Sequence, residues 1–133
     1  MMEAGKCRRI LLVDDEERVL AVLRDVLIRL GRGYEIVTAG GGREALARMG
    51  EMRFDLVITD LVMPDADGIA LTQYVRDAAA DTAVIWMTAH GCHRVAAEAA
   101  RLAVYCCLEK PVEVGRIRQT VREALEAVGC GKD

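Results

Sequence analysis

Two adjacent aspartates at 14 and 15, a third at 60, a threonine at 88 and a lysine at 110 are the residues whose types and settings could do chemistry together. Each follows an apolar run. Ile10-Leu11-Leu12-Val13 leads into Asp14-Asp15, and Leu56-Val57-Ile58-Thr59 into Asp60. Ala83-Val84-Ile85-Trp86-Met87 leads into Thr88, and Tyr105-Cys106-Cys107-Leu108 stands just before Lys110-Pro111. Three carboxylates gathered in one dry place repel one another and need positive charge beside them. Hard oxygen ligands set incompletely around a cavity suit Mg²⁺, which keeps several waters and completes its shell from a substrate phosphate. Lys110 supplies a second positive charge. With Asp60 as the central carboxylate, attack on a phosphorus gives an aspartyl phosphate, and the other groups only position and neutralise charge. Thr88 can donate its hydroxyl to a phosphoryl oxygen, and the small side chain of Ala89 leaves its backbone N–H accessible. Taken singly, each feature is ordinary: an acidic pair is commonly a helix cap or a solvated loop, and Lys-Pro is a frequent turn dipeptide. Their joint occurrence at the ends of four apolar runs is what argues for a site.

The runs themselves read as parallel strands buried on both faces, and open α/β sheets keep their sites at the carboxyl ends of such strands. Helical patterns alternate with them. Val19, Leu20, Leu23, Val26, Leu27 and Leu30 form one apolar face that stops at Gly31-Arg32-Gly33. Tyr34 to Ala39 is a further strand, and Gly40-Gly41-Gly42 leads into a short helix over Arg43 to Met49. Met63-Pro64-Asp65-Ala66-Asp67-Gly68 has turn chemistry throughout, and a helix with Ile69, Leu71, Thr72, Tyr74 and Val75 follows it. A fourth helix, His93 to Arg101, is alanine-rich with a thin apolar stripe, so weak packing and mobility are expected. Pro111 is expected to start a fifth, with Val114, Ile117, Val121, Leu125 and Val128 as its stripe. The pattern is α/β, (βα)5: an extension over 1–8, one domain over 9–128 and a tail over 129–133.

One core fits a chain of 133 residues, 53% apolar and 29% charged. No apolar run approaches the roughly 18 residues of a spanning helix, and the start has no signal-peptide core, so no membrane contact and a cytoplasmic location are expected. Net charge −3 with scattered basic residues offers no nucleic-acid footprint; Lys6, Arg8 and Arg9 read as a solvated strand start. Cys7, Cys92, Cys106, Cys107 and Cys130 are an odd set without C-x-x-C spacing and read as free thiols.

Leu11-Leu12-Val13-Asp14-Asp15-Glu16, the stretch Asp60 to Gly68, Thr88-Ala89-His90-Gly91 and Cys107-Leu108-Glu109-Lys110-Pro111 together resemble the receiver domains of bacterial two-component response regulators. The likeness covers roughly residues 8–128 and is nearest to receivers attached to NtrC-type transcriptional activators. It implies a CheY-like, flavodoxin-like three-layer sandwich with strand order 2-1-3-4-5 and a site at the switch point between strands one and three. It also implies that Asp60 accepts the phosphoryl group, and that Asp14, Asp15, Asp60 and the backbone carbonyl of Val62 hold Mg²⁺. Thr88 becomes the switch hydroxyl, Lys110 the phosphate-sensing cation, and the Ala89 N–H a phosphoryl contact; the Lys110-Pro111 bond is often cis in such domains. The implied partner is a sensor histidine kinase or phosphotransfer protein. Such a domain is no enzyme beyond its own phosphorylation and slow dephosphorylation. A homodimer through the helix four, strand five and helix five face is an expected arrangement that Arg94, Glu98, Arg101, Arg118 and Arg122 do not decide.

One position departs from the family pattern. The switch aromatic usually stands three residues before the lysine, where this chain has Cys107; Tyr105, on the same strand face by parity, is expected to be a packing residue. Small Cys107 is expected either to leave a space for Thr88 or to weaken the output signal. A binding module little controlled by phosphate is therefore the alternative function. A metal-dependent phosphohydrolase would need a further acid or base near Asp60, which the sequence does not supply. Val62 and His90 fill the positions that tune aspartyl-phosphate hydrolysis, and Val62 cannot orient a water, so slow hydrolysis is expected. His90, Cys92 and His93 lack a nearby fourth ligand for a metal, and Gly40-Gly41-Gly42 is expected to be a flexible turn. Cys106 and Cys107 should point to opposite faces of their strand, and Cys130 is expected to be exposed.

Overall fold

The computed structural model describes residues 7–131, with side chains to Ala127. Five strands form one parallel sheet: β1 (Arg8–Val13), β2 (Tyr34–Ala39), β3 (Leu56–Asp60), β4 (Ala83–Thr88) and β5 (Cys106–Glu109). The helices are α1 (Glu17–Ile28), α2 (Gly42–Glu51), α3 (Gly68–Ala78), α4 (Ala96–Arg101) and α5 (Val114–Gly131). A two-residue antiparallel pair, Val62–Met63 with Ala66–Asp67, sits outside the sheet. The sheet order is β2-β1-β3-β4-β5, the flavodoxin-like order expected above.

Both sheet faces are dry, which is why the strands read as unbroken apolar runs. Ile10, Leu12, Ile58, Ile85 and Leu108 pack with α1 and α5 through Leu23, Leu27, Ile117, Val121 and Leu125. Leu11, Val13, Val57, Val84 and Trp86 form the other face with Ala45, Leu71 and Val75. Alternation puts Cys106 with the first cluster and Cys107 with the second, as expected. The single tryptophan is wholly buried, and its indole N–H donates to Thr72 Oγ1 at 2.8 Å. Thr72 in turn donates to the Gly68 carbonyl at 2.8 Å, so a buried polar chain runs from β4 to the start of α3.

Several expectations change. α5 begins at Val114, after Pro111: its first helical bond runs from the Ile117 N–H to the Glu113 carbonyl at 3.0 Å. Val114 is 45% exposed because it lies in the first turn beyond the sheet's cover. Of the outer boundaries, residues 1–6 and 132–133 lie outside the described residues, as do the side chains of Val128 and Cys130; the helix itself continues past 128 to Gly131. The fourth helical segment is divided, a 3₁₀ turn over Cys92–Val95 and then six residues of α4, and none of its residues is buried. Its thin stripe yields only half-buried contacts from Val95 and Ala99. Arg8 and Arg9 anchor the edge of the fold rather than merely being solvated. Arg8 Nη1 donates to the Leu125 carbonyl at 2.9 Å, and the Arg9 N–H to Asp55 Oδ2 at 2.8 Å.

Arg76 plays a part that the sequence did not signal. From α3 its guanidinium donates to the carbonyls of Leu102 (2.6 Å), Thr82 (2.6 Å), Ala80 (3.1 Å) and Ala103 (3.2 Å). It thereby closes the loops on either side of β4. Burial holds its pKa below the ordinary arginine value, yet a guanidinium stays charged. One of its acceptors, Ala103, has φ +57°, a left-handed conformation rare for a residue with a Cβ.

Candidate functional site

β1 and β3 are neighbours, so their carboxyl ends deliver Asp14 and Asp60 to one place. The carboxylate oxygens of Asp14, Asp15 and Asp60 all lie within 4.8 Å of one another. Asp14 is wholly buried, Asp60 nearly so at 7%, and Asp15 is exposed. Lys110, just past β5, points its ammonium between the buried pair, 2.8 Å from Asp14 Oδ2 and 3.1 Å from Asp60 Oδ2. Only the Asp60 contact has hydrogen-bond geometry among the directional bonds; Asp14 Oδ2 is buried without a hydrogen-bond donor aimed at it. Burial alone would lower the pKa of the Lys110 ammonium, but its close pairing with the Asp14 and Asp60 carboxylates outweighs it and holds the group above the ordinary lysine value.

Glu16 belongs here as well: its carboxylate reaches to 3.8 Å of Lys110 Nζ, and its N–H donates to Asp14 Oδ1 at 2.9 Å. That turn fixes the Asp14 carboxylate at the entrance to α1. An acidic residue next to two aspartates was the available signal for it. The donor set fits Mg²⁺ on chemical grounds: three carboxylates within reach of one hard cation, one of them a buried oxygen lacking a hydrogen bond.

The floor under Asp60 is set by backbone. Gly68 N–H donates to the Leu61 carbonyl at 2.9 Å, and a Cβ at Gly68 would collide with the Asp60 carbonyl oxygen and come within 2.8 Å of Leu61 Cα. Only glycine lets α3 start that close. Asp67 caps the helix by accepting the Ile69 N–H at 2.8 Å. Val62, two residues beyond Asp60, is 63% exposed, and its N–H lies 3.5 Å from Asp60 Oδ1.

Thr88 closes β4 and is buried, with Oγ1 accepting the His90 N–H at 3.1 Å; Ala89 and His90 are exposed. The Lys110 N–H donates to the Thr88 carbonyl at 2.9 Å, which ties the ends of β4 and β5. The Lys110–Pro111 peptide is cis. Thus Asp14, Asp15, Asp60, Thr88, Ala89 and Lys110 all gather at one end of the sheet.

The cysteines depart from expectation. Cys92, in the 3₁₀ turn, and Cys107, on β5, form a disulfide with Cα atoms 5.8 Å apart. Fifteen residues separate them, and spacing alone gave no hint, because the pairing depends on how the β4–α4 connection folds back over β5. Cys107 is therefore bonded to Cys92 rather than standing as a small free thiol. Cys7 and Cys106 are free thiols. Tyr105 is 43% exposed, not a packing residue, since it precedes the strand. The Gly40-Gly41-Gly42 turn is pinned rather than loose: Asp65 accepts the N–H groups of Gly42 and Arg43, both at 3.0 Å, which holds its carboxyl below the ordinary aspartate value. Among the described residues, no His, Cys, Asp or Glu group other than Asp14, Asp15 and Asp60 gathers as a metal site.

Residues 10–122 match the response regulator receiver domain. The chain belongs to that family. The receiver is 37% identical over 122 residues to the transcriptional regulatory protein GlrR of Escherichia coli, covering 91% of this chain and 27% of that protein. It is 35% identical to the receiver domain of NtrC4 in its beryllofluoride-activated dimer, with a TM-score of 0.83 over 90% of this chain and 98% of that one. A receiver domain from Methanospirillum hungatei superposes with a TM-score of 0.88 at 23% identity, over 94% of this chain and 98% of that one, and so bears on fold. The receiver spans about a quarter of the length of the curated relatives it matches. Receivers are signalling modules of two-component systems, and the NtrC-type likeness read from the motifs holds. No helix among the described residues is long and apolar enough to cross a membrane.

Proposed function

We propose that this receiver accepts a phosphoryl group on Asp60 from a histidine kinase or a phosphotransfer protein, with Mg²⁺, and changes conformation in consequence. The observation that carries this is the convergence of three carboxylates within 4.8 Å with one ammonium 3.1 Å from Asp60 Oδ2. Asp14, Asp15, Asp60 and the Val62 carbonyl would hold Mg²⁺, which when bound supplies positive charge for phosphoryl oxygens. An Asp60 carboxylate oxygen forms the new O–P bond as the P–N bond to the donor imidazole breaks, its electron pair leaving with the imidazole, which then takes a proton. Lys110 orients Asp60 before transfer and balances phosphoryl charge afterwards. The Thr88 hydroxyl and the Ala89 N–H donate to phosphoryl oxygens, and the added charge repopulates the α4, β5 and α5 face. Neither exposed Val62 nor His90 is fixed to position a hydrolytic water, so the aspartyl phosphate is slow to hydrolyse. The cytoplasm is the fitting compartment for such a module.

Incubation with Mg²⁺ and acetyl phosphate, followed by intact-mass measurement, tests this. One added phosphoryl group, absent from Asp60→Asn and from metal-free protein, is the expected result. No gain with acetyl phosphate or with a phosphorylated donor protein would favour a phosphate-independent binding module.

A further inference from the structure

We propose that Cys92 and Cys107 are a thiol–disulfide switch that sets whether the receiver can respond to phosphoryl on Asp60. The inference rests on the phosphoryl-acceptor reading above. Cys92 lies four residues after Thr88, and Cys107 three residues before Lys110. The disulfide therefore joins the two segments that carry both phosphoryl-sensing side chains. Two further ties close the same ring: the Lys110 N–H to the Thr88 carbonyl at 2.9 Å, and the Cys92 N–H to Glu109 Oε2 at 3.1 Å. Inside it, Thr88 Oγ1 accepts the His90 N–H at 3.1 Å, which ties the hydroxyl oxygen to its own loop while its O–H stays available to donate.

With the bond formed, residues 88–92 cannot move apart from β5. With both thiols free, the loop is held at Cys92 by one exposed hydrogen bond and leads into α4, none of whose residues is buried. Displacing it then costs little. The bonded pair favours the arrangement seen here, and the thiol pair permits the rearrangement that phosphoryl on Asp60 asks of Thr88.

The pair is also reachable. Both cysteines are half-buried and line an open cleft of about 410 Å³ together with Glu109, Pro111, Glu113 and Arg116. Closure removes two electrons and two protons from the two thiols as the S–S bond forms. A glutathione-type disulfide accepts them and becomes two thiols. In a compartment that keeps thiols reduced, such a pair forms conditionally, as a sensor does, rather than as a permanent staple.

Coupling between sites is reciprocal, so phosphorylation must make this disulfide easier to reduce by the same factor by which the disulfide resists the response. The receiver is equilibrated across mixtures of reduced and oxidised glutathione, with and without Mg²⁺ and acetyl phosphate, and trapped with N-ethylmaleimide. Label counts by intact mass then give the oxidised fraction: five labels on the thiol form and three on the bonded form, from five cysteines and one disulfide. Peptide mapping identifies the linked pair. Phosphorylation should raise the oxidised glutathione needed for half-oxidation by about five-fold or more, with no shift in Asp60→Asn. Hydrogen exchange of residues 88–95 should rise on phosphorylation in Cys92→Ser under all buffers, and in the native chain only when reduced. A Cys92–Cys107 link that forms in no buffer, or a midpoint unmoved by phosphorylation that does occur, overturns the switch alone. Failure of the fully reduced chain to take up phosphoryl overturns the reading beneath it, and the switch with it.

Discussion

Replacing Lys110 by methionine keeps most of the side-chain volume and removes the one ammonium between two buried carboxylates. At an effective dielectric of about 20, its attractions to Asp14 at 2.8 Å and Asp60 at 3.1 Å are each roughly 5–6 kcal/mol before any offset. The cost of desolvating the ammonium, which the variant no longer bears, offsets a large part, and truncating one partner of a buried pair costs about 3–5 kcal/mol in practice. For a chain of this length, an unfolding entropy near 2.1 cal/mol/K per residue turns that into a fall in Tm of about 11–18 °C. Circular dichroism melts of native and Lys110→Met protein at neutral pH and low salt measure it, and Mg²⁺ should restore part of the loss. The dependence on pH has a definite sign. Because the Lys110 pKa is raised in the fold, its contribution is whole below the unfolded lysine value, about 10.4, and is lost as pH rises through the raised value. The gap between native and variant should therefore be steady from neutral pH to about 10 and close above that. A neutral-pH fall under about 4 °C, equivalent to about 1 kcal/mol, would refute the claim that Asp14 and Asp60 depend on this cation.

Gly68→Ala should lower stability by about 1–3 kcal/mol and also reduce acetyl phosphate uptake, because the added methyl displaces the Asp60 carbonyl; chemical denaturation and intact mass read the two effects. Arg76→Met should cost about 2–4 kcal/mol through four abandoned carbonyls, and hydrogen exchange should locate the loss at residues 79–82 and 102–104. Ala103→Gly should raise stability by about 0.5–1 kcal/mol in denaturant melts, since glycine relieves the left-handed backbone at some cost in chain entropy.

The sheet and the gathering of Asp14, Asp15, Asp60, Thr88 and Lys110 were legible because a parallel strand buried on both faces is an unbroken apolar run, and the polar residue that ends it marks the site edge. Strand order came through family likeness, not periodicity. What escaped depended on contacts between distant segments. Cys92 and Cys107 meet only after the β4–α4 connection folds back over β5. Arg76 looks like any charged helix residue until the carbonyls of two loops converge on it. Asp65 reads as a turn residue, yet it holds the N-terminus of α2 across a gap of more than twenty residues. The start of α5 was misplaced because Pro111 is a fitting first helical residue by local preference, while the chain turns through Val112 and Glu113 before the helix begins.

That none of α4's residues is buried bears on how such a module can diversify. Substitutions on an exposed surface away from caps and special backbone usually change stability by within about 0.5 kcal/mol, so its outward face is free to drift through many sequences while the strand ends stay fixed. New recognition can be written there one residue at a time, and lineages sharing one chemistry can be insulated from each other's signals without rebuilding the core.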